Sequence, residues 1–147
     1  MIRCGCFNGG SRSSLLAVAL TGVIWLGACR RGHVAGTPST DDVAKAFSQA
    51  GLDADTLTKL ETPDNWSAEY CVEGPVAGLS VVICEYQNDA DLVVGEKKAY
   101  TDWNTTNVET GVVTHVGRTL LAISDRTKKD PSGKTIARIL ATFRGVQ

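Results

Sequence analysis

The stretch AEYCVEGPVAGLSVVICEY, Ala68–Tyr86, decides the fold. Two β-rich runs, 68–73 and 79–86, flank Gly74-Pro75-Val76-Ala77-Gly78, which is turn chemistry. With Cys71 opposite Cys84, Val72 faces Ile83, and Tyr70, Val72, Val81 and Ile83 share one apolar face. Glu69, Glu73, Ser80 and the two cysteines then share the other. Strand side chains alternate with period two, so a slip of one residue would turn the apolar set to the wrong face. The alternation and the pairing of the cysteines therefore demand the same register.

Working outward, a second hairpin is expected from Val112–Val116 and Thr119–Ser124 around Gly117-Arg118. A two-residue loop led by glycine suits a type II′ turn. Ahead of the first hairpin, Thr40 can cap a helix with Asp41 and Asp42 at its positive end, Val43, Phe47 and Ala50 along one stripe, and Gly51 as its stop. A short helical turn fits 55–60, closed by Pro63. Between the hairpins, Asn88 or Asp89 can cap a helix running to about Trp103. Leu92, Glu96, Ala99 and Trp103 form its stripe, with Val93 and Tyr100 beside it. Gly95 costs such a helix about 1 kcal/mol relative to alanine, which marks close packing. Core packing also accounts for Trp103 on that stripe. Asp130 as cap and Pro131 as first residue open a last helix with Ile136, Ile139, Leu140 and Phe143 inward.

The order α-ββα-ββα predicts an α+β domain. The expected form is a two-layer sandwich, with an antiparallel sheet of about four strands, helices on one face, and the other face free for solvent or a partner. The runs from Gly78 and Gly117 align loosely, which suggests a degenerate ββα repeat with a period of 39 residues.

The first 28 residues read as an export signal. Arg3 and Arg12 are the only charges, and Leu15–Ala28 is an apolar run of 14 residues. Spanning a bilayer takes roughly 20 residues, so this run suits the core of a signal peptide better than an anchor. It ends in Leu26-Gly27-Ala28-Cys29, which resembles the lipobox of bacterial lipoproteins. The resemblance covers residues 1–29. It implies cleavage before Cys29, a diacylglyceryl group on its thiol, and attachment to the membrane by a lipid anchor. At least two acyl chains make such attachment stable. Arg30, rather than Asp, after the cysteine favours the outer membrane of a diderm cell, facing the periplasm. The expected division is a signal peptide at 1–28, a lipidated cysteine with a flexible tether at 29–39, and a single domain at 40–147.

Removing residues 1–28 takes two of the 15 basic residues and none of the 16 acidic ones, leaving 13 against 16 and a net charge of −3. That carries no electrostatic footprint for nucleic acid. Cys4 and Cys6 leave with the signal. Cys71 and Cys84 are then the two cysteines left in an exported chain, where thiols are oxidised, so a disulfide is expected between them.

Little in the domain points to chemistry. His115 is its one histidine, on a strand opposite Leu120, with no nucleophile or carboxylate adjacent in sequence. No metal site or cofactor is expected. Glu85 should point away from Glu69 and Glu73, which suit a solvated strand face. Lys128-Lys129 is too short a basic run to argue nucleic-acid binding, and Asn65-Trp66-Ser67 and Asn104-Thr105-Thr106 match the glycosylation sequon incidentally. The expectation is a non-enzymatic, lipid-tethered domain that binds an envelope protein or other envelope component. Trp66, Glu69 and Glu73 are the candidate partner surface. Two alternatives remain open: a small periplasmic enzyme or ligand carrier using His115, and a purely structural envelope lipoprotein.

Overall fold

The computed structural model describes residues 36–105 and 111–146. The signal segment, Cys29 and the first part of the tether lie outside the described residues. The elements are α1 (Thr40–Gln49), β1 (Thr58–Lys59), a 3-10 turn (Pro63–Trp66), β2 (Tyr70–Val76), β3 (Leu79–Glu85), α2 (Asp89–Thr105), β4 (Gly111–Val116), β5 (Thr119–Ser124) and α3 (Lys134–Arg144). The strands form one antiparallel sheet of five, in the order β1-β2-β3-β5-β4. The class is α+β, as expected.

The first hairpin has the anticipated register, with Cys71 opposite Cys84 and Val72 opposite Ile83. Its turn is tighter than expected. Gly74, Pro75 and Val76 continue β2, and Ala77-Gly78 alone reverses the chain, both at positive φ (49° and 83°). Two such residues make the type I′ turn that matches strand twist. Pro75 is tolerated because β1 reaches only Val72 and Glu73, leaving β2 an edge beyond them. Residues 58–59 are strand rather than helical turn, the fifth strand of the sheet. Gly74 admits them, since a Cβ there would lie 2.7 Å from the Thr56 carbonyl oxygen.

The helices do not share one face. Val72, Val81, Ile83, Leu121 and Ile123 pack against Val43 and Phe47 of α1 and Ile136, Ile139 and Phe143 of α3. The opposite side chains, Cys71, Cys84, Leu120, Ala122 and Val113, pack against Leu92 and Ala99 of α2 together with Trp66. The expected two-layer sandwich is therefore a sheet with helices on both sides. The reason lies in β5, which is buried along its whole length on both faces. A continuous apolar strand such as TLLAIS needs cover on each side. The 39-residue repeat fails for the same reason. It would place Val81 on Leu120, which face opposite sides of the sheet, and α2 and α3 cover opposite faces.

The start of the domain is also earlier than expected. Ser39, not Thr40, caps α1, in a reciprocal box with Asp42. Pro38 and Thr40 are buried. Thr119 Oγ1 donates to the Pro38 carbonyl, the Arg118 amide donates to Thr37 Oγ1 at 3.2 Å, and the Thr40 amide donates to a Glu85 carboxylate oxygen at 2.5 Å. Gly117 makes this seam possible, because a Cβ there would lie 2.5 Å from the Gly36 carbonyl oxygen. Residues 36–39, expected as tether, are thus strapped to the β4–β5 turn.

Asp130 does not cap α3 as its neighbour. Gly133, at φ 66°, occupies that position, and the Asp130 carboxylate accepts the Ile136 amide at 2.9 Å from six residues away. Asp130 is itself held by Asp125, whose carboxylate accepts the Asp130 and Lys129 amides at 2.7 and 2.9 Å. These bonds, that from Asp130 foremost, hold the Asp125 carboxyl below its ordinary value of 3.8 against an opposing effect of burial. A lowered folded-state pKa gives stability that is present above the unfolded value and lost as pH falls through the folded one. Asp125→Asn should therefore unfold more readily at neutral pH and show a flatter acid limb in pH-dependent melting.

Candidate functional site

The face opposite α1 and α3 is half covered. α2 lies over β4 and β5, and the 3-10 turn and Leu60 lie over Cys71 and Cys84. The disulfide between those cysteines closes at a Cα separation of 4.1 Å and is fully buried. Beyond this cover, towards the Ala77-Gly78 turn, the face is open. There Thr58, Glu73, Gly74, Ser80, Val82, Ser124 and Arg126 line a groove of about 350 Å³. Glu73 and Arg126 are exposed and, among the described residues, neither is in an ion pair.

The expected surface residues are not brought together. Glu73 stands in the groove with Ser80, as alternation required. Glu69 is exposed before the other end of β2, and Trp66 is half-buried in the disulfide cluster. Glu85 points to the other face, where it serves the Thr40 amide. Thr58, Ser124 and Arg126 were missed. They come from two separate segments, β1 and the end of β5, and the β1–β2 and β3–β5 pairings that bring them to Glu73 and Ser80 have no local signal.

The groove lies at the end of the sheet away from the strap. β3 runs from Ser80, beside Ser124, to Glu85, beside Thr119. Five residues of strand span about 17 Å, which separates the groove from the place where the chain joins the domain. A larger groove of about 560 Å³ lies between α1 and α3, bordered by Gly36, Pro38 and Val146. Its rim adjoins both limits of the described chain, and we assign it no ligand.

His115 has a spatial partner that the sequence did not reveal. Its Nδ1 lies 3.7 Å from Oε1 of Glu96 on α2, beyond hydrogen-bonding distance, with about half of the imidazole exposed. Tyr86 sits beneath the same helix. Its hydroxyl is buried without a hydrogen-bond partner, and burial first, then the Glu96 carboxylate, push its pKa up to about 12. Gly95 faces that ring. The expected close packing at Gly95 is what the structure has. Trp103 lies in α2, but its side chain is outside the description.

Arg118 ties the β4–β5 turn to the start of α2, donating to Asp89 Oδ1 and the Gln87 carbonyl, both at 2.8 Å. In the Lys128-Lys129 run, the Lys129 amide serves the Asp125 carboxylate. Among the described residues no group of three His, Cys, Asp or Glu side chains could hold a metal ion, and no helix is long and apolar enough to cross a membrane. No family model matches the chain, and no curated protein or solved structure is similar to it.

Proposed function

We propose that this chain is a lipid-anchored protein of a bacterial envelope whose small domain is a non-catalytic binding module. Cys29 is the lipid attachment site in this reading, and the partner is an envelope protein or other envelope component. The observation that carries it is Leu26-Gly27-Ala28-Cys29 directly after a 14-residue apolar run. The fold is compatible with that tether. Residues 36–40 are fastened at one end of the sheet, and the open half-face with Glu73 lies at the other. The wild-type protein should fractionate with membranes, and the peptide carrying Cys29 should show a diacylglyceryl mass increment. Cys29→Ala should move the protein almost wholly out of the membrane fraction. An unmodified Cys29 in membrane-bound protein overturns the anchor.

The carboxylate beside His115 favours a second reading, a small enzyme or ligand carrier built on His115 and Glu96. In that case His115→Ala should leave the thermal midpoint unchanged and abolish function in a complementation assay. Normal complementation by that variant disposes of it.

A further inference from the structure

We propose that β4 pairs with the β4 of a second copy of this chain, antiparallel across a two-fold axis at Val113, so that the two sheets become one. The inference goes beyond the binding-module reading and does not depend on the lipid anchor.

β4 is an outer strand, bonded on one side to β5. The two-residue turn at Gly117-Arg118 makes Val116 and Thr119 a hydrogen-bonded pair, so Thr114 and Val112 also bond to β5. Gly111, Val113 and His115 then turn their amides and carbonyls outward. Among the described residues, the Val113 carbonyl alone of these groups has a partner, the Tyr100 hydroxyl at 3.3 Å, and its second lone pair is still free. The opposite edge of the sheet is guarded, since β1 is two residues long, includes Lys59, and gives way to Pro75 on β2. β4 is GVVTHV, with no proline, lysine or carboxylate. Edge strands without such guards add a further strand.

The helix above β4 selects a second copy over a foreign strand. α2 lies over β4 and β5 and runs antiparallel to β4, because Glu96 lies beside His115 and Tyr100 beside Val113. Val93 and Tyr100, seven residues apart, share the side of α2 that overlooks the free edge, and they are 63% and 49% exposed. A foreign strand would leave that apolar stripe in water, whereas a second β4 brings its own α2. With strands about 4.8 Å apart and each helix seated over its β4 and β5, the two helices lie about 10 Å apart, the spacing of packed helices. Tyr100, level with the axis, meets its own copy. On the strands Val113 faces Val113, Gly111 leaves room for His115, and no like charges are opposed.

The test is sedimentation of the full chain in density-matched detergent at high micromolar concentration, which should give two chains per particle. Tyr100→Lys sets like charges at the axis and should weaken association roughly tenfold or more with an unchanged thermal midpoint. Cysteine pairs read the register. Val112 would lie opposite Thr114 of the second copy at a non-hydrogen-bonded site, with Cα atoms about 4.5 Å apart, within reach of a disulfide. Mixed Val112→Cys and Thr114→Cys chains should therefore give a disulfide-linked dimer on oxidation, while either variant alone should give no more than wild type. One chain per particle for the wild type overturns the proposal, as does crosslinking of either variant alone as strongly as the mixture. Capture of another envelope protein by Thr114→Cys, with the wild type a single chain, gives the edge to a foreign strand and overturns the second copy.

Discussion

Replacing Cys71 and Cys84 together by alanine should lower stability by about 3 kcal/mol, the loop-closure value for a loop of this size. The disulfide joins residues 13 apart in sequence. In urea, where slopes for small domains run from about 1 to 3 kcal/mol per molar, the midpoint should fall by roughly 1–3 M with an unchanged slope. Both cysteines are fully buried beneath Trp66, Leu60 and α2. Reductant should therefore cleave the bond only as the domain opens, and reduction without denaturant should be slow. A loss well below 1 kcal/mol would mean that the Ala77-Gly78 turn already holds the hairpin in the unfolded chain. The bond would then be redundant with the turn, because the entropy of closing that loop is removed only once.

Gly95→Ala is the second large effect, and its sign opposes helix propensity. On an exposed helix face the change would stabilise by about 1 kcal/mol. Here the new Cβ would collide with the Tyr86 hydroxyl oxygen and lie 2.5 and 2.6 Å from two ring carbons. Tyr86 is 4% exposed and cannot swing clear. Overpacking of this kind costs about 1–3 kcal/mol, and the upper end is expected after the propensity gain is set against it. Tyr86→Phe alone should be neutral or stabilising, since it removes a buried hydroxyl without a partner. The double variant should stay destabilised, because the ring carbons still collide. Full recovery in the double variant would show that the hydroxyl alone sets the spacing. The pH profile gives an independent check. The Tyr86 pKa lies at about 12, raised from 10.0 because burial disfavours the phenolate, so stability is unaffected by its ionisation below pH 10 and falls as pH rises from 10 towards 12. Tyr86→Phe should flatten that alkaline limb. The same helix carries Glu96, so Gly95→Ala should also disturb the Glu96–His115 approach.

Glu73 shows how far a candidate site can be read along a chain. Its outward position follows from alternation within one hairpin. Its neighbours Arg126 and Ser124 reach it only through the β3–β5 pairing, which joins residues some forty apart in sequence. Glu96 and His115 meet in the same way, across α2 and β4. Sequence spacing carries no record of such contacts, because they form between elements rather than within them.

By itself the sequence determined the elements with local causes. The register of Cys71 with Cys84 followed from alternation, the turns at Gly78 and Gly117 from glycine's access to positive φ, and the helix stop at Gly51 from the same freedom. The α+β class followed from the order of those elements. Tertiary structure alone decided the side of the sheet each helix covers, the pairing of β1 with β2, and the docking of residues 36–39 on the β4–β5 turn. An amphipathic stripe specifies that a helix must bury one side, but any apolar face will serve it. Here β5 offered two such faces, and α2 and α3 took one each.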